Sequence, residues 1–148
     1  MSKPDEFAKK LLVFLNHAIE DKPKVRELYK KLMQDGFEPW LDEEELLPGQ
    51  NWDLEIKKAL RSSQSIIICL SKTSVSKEGY VNKEIKRALD IADEKPEGEI
   101  FVIPVLFSKC EIPFWLQDRH LQFVEFPSQY DKLVRALNLR INKVTPKI

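Results

Sequence analysis

Glu84 is a lone carboxylate in a setting where carboxylates do chemistry. It lies downstream of a wholly apolar run, Ile66-Ile67-Ile68-Cys69-Leu70, and of a polar stretch holding Ser71, Ser74 and Ser76. An apolar run of that kind reads as a strand buried on both faces, which implies a parallel sheet covered by helices. Ligands of such sheets bind beyond the carboxyl ends of the strands. A helix follows, with Val81, Ile85, Ala88, Leu89 and Ala92 as its core stripe, and Glu84 falls in its first turns on the flank of that stripe. An acid there also has ordinary work: it complements the helix dipole by about 0.3–1 kcal/mol. Arg87, on the next turn, can pair with it.

The elements that must position Glu84 can be followed along the chain. Leu11-Leu12-Val13-Phe14-Leu15 is a second strand of the doubly buried kind, and Asn16 and His17 follow it at the same sheet edge. Either can serve a ligand or simply finish a turn at the surface. Pro23 suits the first turn of a helix capped near Asp21 or Lys22, with Val25, Leu28, Tyr29, Leu32 and Met33 at helical spacing and Gly36 closing it. Phe37-Glu38-Pro39-Trp40-Leu41 reads as a short strand, and Pro39 argues for an edge position. Residues 42–50 read as a long acidic loop, opening on Asp42-Glu43-Glu44-Glu45 and continuing with Leu46-Leu47-Pro48-Gly49-Gln50. A helix capped by Asn51 follows, with Trp52, Ile56, Ala59 and Leu60 on one face. Trp40 and Trp52 both read as core residues first, and Ser76 as a helix cap. Residues 100–106 give a fourth strand despite Pro104, and residues 122–126 a fifth. A turn or two of helix is expected around residues 114–117, and Leu133, Val134, Leu137 and Ile141 mark a last helix. Strand and helix alternate throughout, which gives βαβ units and an open α/β sheet with helices on both faces.

Composition narrows the class. The 148 residues suit one domain, and 24 basic against 24 acidic residues leave no bias toward nucleic acid or an anionic membrane. The longest apolar runs fall far short of the roughly 20 residues that span a bilayer. The charged start, Met1-Ser2-Lys3-Pro4-Asp5-Glu6, has no signal-peptide core, so a cytoplasmic chain is expected. Cys69 and Cys110 read as reduced residues, and with His17 and His120 they form no metal-ligand spacing. No metal and no prosthetic group is expected. Residues 1–8 and 143–148 read as tails, the second as a linker stub with room for a fused sensor domain in a longer protein, around one domain at residues 9–142.

The ordered motifs resemble a TIR (Toll/interleukin-1 receptor) domain of the bacterial type over residues 11–141. Phe14-Leu15-Asn16-His17-Ala18-Ile19-Glu20-Asp21 is similar to the family's opening F-[IL]-S-x-x-x-x-D, with Asn16 in place of the serine. Trp40-Leu41-Asp42, Leu47-Pro48-Gly49 and Trp52 resemble its second strand and BB loop. Tyr80-Val81-Asn82-Lys83-Glu84 is similar to W-C-x-x-E, whose glutamate is the catalytic residue of the NAD+-cleaving members.

The resemblance implies a flavodoxin-like five-stranded parallel sheet of order 2-1-3-4-5. It implies an NAD+ nucleosidase, a hydrolase with cyclase activity as a variant, switched on by self-association and working in bacterial immunity such as antiphage defence. Glu84 would be catalytic. Asn16, His17, Trp40, Asp42, Ser71 and Tyr80 would line the substrate site, and Leu46, Leu47, Pro48 and Gly49 would form an interaction loop. Partners would be NAD+ as substrate and other TIR subunits in a homo-oligomer or filament, with Asp42-Glu43-Glu44-Glu45 facing solvent or a neighbour's basic patch. The chemistry needs little apparatus, because nicotinamide leaves neutral from a cationic pyridinium and the transition state is oxocarbenium-like. Two other readings stay open: a non-catalytic TIR interaction module, and a deoxyribosyltransferase-like enzyme with a covalent sugar on Glu84.

Overall fold

A computed structural model describes residues 11–76, 83–94, 101–117, 119 and 121–144. Five strands are present: β1 (Leu12–Asn16), β2 (Glu38–Trp40), β3 (Ser65–Leu70), β4 (Val102–Leu106) and β5 (Val124–Glu125). All pair in parallel, in the order β2-β1-β3-β4-β5. The helices are α1 (Lys22–Gln34), α2 (Asp42–Glu45), α3 (Trp52–Ser62), α4 (Lys72–Ser76), α5 (Lys83–Asp93), α6 (Phe114–Gln117) and α7 (Tyr130–Val144), with a 3-10 turn at Ile19–Asp21. The sheet order is the one expected from the sequence. Among the described residues no helix is long and apolar enough to cross a membrane.

Strand alternation builds two cores. Leu11, Val13, Leu15, Ile67, Cys69, Ile103 and Val105 pack with Val25, Leu28 and Leu32 of α1 and Leu133 and Leu137 of α7. Phe14, Ile66, Ile68, Leu70, Val102 and Leu106 pack on the other face with Ile56, Ala59 and Leu60 of α3 and Ile85 and Ala88 of α5. The chain turns to opposite sides of β1 on leaving it and on returning as β3. The gap between the carboxyl ends of β1 and β3 is therefore the topological switch point, where open α/β sheets take ligands.

Both strand prolines have a physical account. Pro39 lies on edge strand β2. Glu38 N donates to Leu11 O, so the neighbouring Pro39 nitrogen faces away from β1. In β4, Phe101 O accepts from Ile66 N and Phe107 N donates to Leu70 O. Odd positions of β4 thus face β3 and even ones face β5. Pro104 turns its nitrogen toward β5, one residue ahead of the β4–β5 ladder, which begins at Val105 and Val124.

Three expectations are corrected. Residues 42–45 are helical rather than loop: Leu41, fully buried, anchors the turn, and its carbonyl accepts from Glu44 N and Glu45 N. Asp42 at its first position suits the dipole. Trp52 is 64% exposed rather than core, because the first residue of α3 precedes the part of the helix that meets the sheet, which starts at Ile56. The fifth strand is cut to Val124–Glu125, since Leu121 and Phe123 are exposed and give its start no buried face. The Asn51 cap is present, its Oδ1 accepting from Leu54 N at 3.1 Å. Gly36 ends α1 at φ +90°, the left-handed region that glycine adopts without cost from a Cβ.

Gln64 fastens the opposite end of the sheet. Its Oε1 accepts from Leu12 N at 2.8 Å, its own N donates to Leu12 O, and its carbonyl accepts from Arg140 Nε at 2.7 Å. Gln64→Ala strands the Leu12 N–H, a loss of about 1–3 kcal/mol. The expected fall in Tm is about 2–8 °C, measured by thermal unfolding; an unchanged Tm contradicts the assignment.

Candidate functional site

Four of the seven buried polar residues among those described, Asn16, Asp21, Ser71 and Ser74, lie at the carboxyl ends of β1 and β3. Asn16, the last residue of β1, is 3% exposed, and its Oδ1 has no hydrogen-bond partner among the described residues. His17 follows, with Nδ1 at 2.9 Å from Ala18 O and Nε2 at 3.3 Å from Asp42 Oδ1. Both partners are acceptors, so only the doubly protonated imidazolium donates to both. Burial opposes that charge. The Asp42 hydrogen bond, the Ala18 carbonyl and the Asp42 charge outweigh it, with Lys22 opposing, and hold the His17 pKa above its ordinary value. Trp40 stacks on Phe14 with centroids 5.0 Å apart and planes 10° from parallel. These side chains line a small, half-open pocket of about 40 Å3 together with Leu15 and Ile56. Four of the expected substrate residues, Asn16, His17, Trp40 and Asp42, are thus brought together.

Ser71 belongs to a neighbouring cluster. It caps α4: its Oγ accepts from Ser74 N at 3.1 Å, while Ser74 Oγ accepts from Ser71 N at 2.8 Å. Asp21 lies against both hydroxyls and is 6% exposed. Burial raises its carboxyl pKa, and Glu20 adds to this, against the Ser71 and Ser74 hydroxyls and the His17 charge. Its Oδ2 has no partner among the described residues. The sequence offers Asp21 as a helix cap. It holds that backbone position, but its side chain makes no cap hydrogen bond and turns to the α4 serines instead. The signal was its place as the acid that closes the F-[IL]-S-x-x-x-x-D pattern.

The remaining expected residues distribute as follows. Leu46 is half-buried, while Leu47 is 61% exposed at the head of a turn in which Gln50 N donates to Leu47 O and Gln50 Oε1 accepts from Leu47 N. Pro48 is exposed and Gly49 has φ +88°. Glu84 is the second residue of α5, and its side chain lies outside the described part. Tyr80 and Val81 also lie outside the described residues, as does the side chain of Ser76. Arg87, the expected Glu84 partner, comes within 3.8 Å of Asp53 on α3. A larger open groove of about 770 Å3 runs between α3 and α5, lined by Lys57, Arg61, Arg87, Asp90 and Glu94 over Leu60 and Ile91. It lies along the helices rather than at the strand ends, and its charges are mixed, so the smaller pocket is the better candidate. Among the described residues no group of three His, Cys, Asp or Glu could hold a metal ion. Cys69 is buried and Cys110 half-buried, and neither is in a disulfide.

The sequence profile of the TIR domain family matches residues 13–137. The chain belongs to the TIR domain family. It is 31% identical over 135 residues to the 2' cyclic ADP-D-ribose synthase BtTIR of Bacteroides thetaiotaomicron, covering 88% of this chain and 41% of that protein. The chain therefore spans about two fifths of the length of that curated relative. Among solved structures, the TIR domain of the Toll-related receptor TRR-2 from Hydra magnipapillata superposes with a TM-score of 0.63 at 23% identity, covering 88% of this chain and 97% of that one. The TIR domains of the activated Roq1 resistosome, which recognises the pathogen effector XopQ, give a TM-score of 0.54 at 28% identity over 66% of this chain and 58% of that one.

The His17 geometry of this TIR domain has a measurable sign. Its imidazole is expected to titrate above 6.5, read by NMR of the ring protons, and Asp42→Asn lowers the value. The stability it contributes is full below the unfolded pKa and is lost as pH rises through the folded one. A wild-type titration at or below 6.5 contradicts the contact.

Proposed function

We propose that this TIR domain cleaves the nicotinamide–ribose bond of NAD+, with Glu84 as the catalytic carboxylate. The observation that carries this reading is the 31% identity over 135 residues to a protein named as a 2' cyclic ADP-D-ribose synthase. The glycosidic C–N bond breaks with its electron pair passing to the pyridinium nitrogen, so nicotinamide departs neutral without a general acid. The ribose carbon is left oxocarbenium-like, and one carboxylate stabilises that charge. Water then adds to give ADP-ribose and releases a proton. Capture by a nucleophile within the same molecule gives a cyclic ADP-ribose instead.

We assign Asn16, His17, Trp40 and Asp42 to the substrate side of this site, with Ser71 and Tyr80 as further substrate residues. The Phe14–Trp40 stack and an Asn16 acceptor without a partner among the described residues suit a ligand that combines a ring with hydroxyls. NAD+ is substrate here, and no prosthetic group is needed. Association with further TIR subunits through Leu46, Leu47, Pro48 and Gly49 is the proposed trigger, in a cytoplasmic, bacterial-immunity setting where loss of NAD+ halts the cell. The exposed Leu47 supports that role for the loop, since an apolar tip on a polar loop is a contact element. The same exposed tip supports a second reading, a TIR interaction module without turnover.

Purified protein incubated with NAD+ under crowding conditions is expected to release nicotinamide, measured by chromatography with mass identification of the second product. Glu84→Ala lowers the rate on the order of 100-fold or more. No release by wild type, or equal release by the variant, overturns the reading. A binding partner lost on Leu47→Ala, with no turnover, selects the interaction module.

A further inference from the structure

Asp21 is a buried carboxylate that the proposed reaction does not use. It is 6% exposed, and its Oδ2 has no partner among the described residues. It stands at the N-cap position of α1 but makes no cap hydrogen bond there. Burial holds its pKa above the ordinary 3.8. An amide serves an N-cap as well as a carboxylate does, without the cost of a buried charge. What a carboxylate adds at this position is found on its other side, at α4.

The α4 serines set the requirement. Ser71 Oγ accepts from Ser74 N at 3.1 Å, and Ser74 Oγ accepts from Ser71 N at 2.8 Å. Each hydroxyl has thus committed a lone pair to a backbone N–H and has a proton left to give. Ser74 Oγ can donate to Ser71 O at 3.1 Å or to Asp21, and the Ser71 hydroxyl also lies within reach of Asp21. The partner that suits two such donors is an ionised carboxylate, which only accepts. A protonated carboxyl or an amide brings donors of its own to the same place. Asp21 belongs to the turn that follows β1, and the serines to the segment that follows β3. Those two strands are neighbours in the sheet, so the carboxylate bridges the two sides of the switch point.

We propose that Asp21 is a positioning residue: its carboxylate ties the end of β1 to α4 and so holds Asn16 and His17, on one side of the switch point, in register with Ser71 on the other. The proposal rests on the reading of this edge as the NAD+ site and names the residue that orders it. Asp21 acts through Ser71 and Ser74 rather than on a reacting atom. The tie holds while the carboxylate is ionised, so it depends on the groups around it. Those are Glu20 of its own turn, His17 after β1, Ser71 and Ser74, and the thiols of Cys69 and Cys110, which its charge pushes up. His17 favours the charge, while Glu20 and burial oppose it. Because the folded pKa is raised, the charge weakens the folded state in full above that pKa, and the cost vanishes as pH falls to 3.8, the ordinary value. A group that lowers stability while completing the geometry of a candidate site fits a functional role better than a structural one.

A structural acid and a positioning acid predict opposite results for Asp21→Asn, which keeps the shape and removes the charge. The test compares this variant with wild type on the full chain, by kinetics with NAD+ and by thermal unfolding. KM is expected to rise about five- to tenfold, since the groups that Asp21 aligns bind substrate, with kcat less affected. Tm near neutral pH is expected to equal or exceed that of wild type, and the two converge as pH falls toward about 4. An unchanged KM, or a variant Tm below wild type near neutral pH, overturns the proposal. Amide NMR reads the tie without turnover. Shift changes in Asp21→Asn at residues 71 and 74, as well as at residues 16–22, support it. Changes confined to residues 19–25 overturn it. The spectra decide this even if wild type consumes no NAD+ and the catalytic reading has failed.

Discussion

β3 has no face to spare. All six of its side chains, from Ser65 to Leu70, are buried, so neither side of the sheet can be left to water and helices must cover both. Parallel strands require crossovers, and right-handed crossovers deliver those helices to the two faces. With both faces sealed by apolar contacts, polar side chains that must approach one another have the strand ends left to them. That constraint brings Asn16, His17, Asp21, Asp42, Ser71 and Ser74 to one edge of the molecule. A fully apolar central strand and a polar switch point are thus two consequences of one pattern.

That edge carries a concentration of unmet polar demand. Asn16 Oδ1 and Asp21 Oδ2 are buried acceptors without partners among the described residues, and buried polar groups are ordinarily satisfied. The Asp21 carboxylate is made uncomfortable by burial, while the neighbouring His17 imidazolium is sustained against burial by Asp42. Such departures from local satisfaction concentrate at functional sites. The TIR fold supplies the place, and this chain's own residues decide what chemistry is poised there.

The buried strands were legible because a short unbroken apolar run, in a chain this rich in charge, fits little besides a strand covered on both faces. Ile66-Ile67-Ile68-Cys69-Leu70 announced a central strand, and the helical spacing of Val25, Leu28 and Leu32 announced its cover. The acid run at residues 42–45 misled, because its helix depends on the buried Leu41 anchor rather than on any periodicity. Trp52 misled because it shares the spacing of Ile56 and Ala59 but precedes the part of α3 that meets the sheet. Of the candidate site, the residue pattern put Asn16 and His17 at the carboxyl end of the first strand, where the structure has them, and the TIR resemblance added Trp40, Asp42 and Ser71. Neither gave a sign that His17 meets Asp42, since 25 positions separate them and only the fold of β2 against β1 closes that distance. The Asp21–Ser71–Ser74 cluster was hidden for the same reason.

The central claim is that the end of β1 is where NAD+ binds. Its most direct measurement is an NMR titration of NAD+ into Glu84→Ala, the variant in which the proposed turnover is expected to be lost. The account predicts amide shift changes concentrated at residues 14–17 and 40–42. Changes confined to the larger groove around Lys57, Arg61 and Arg87, or none at saturating NAD+, would contradict it.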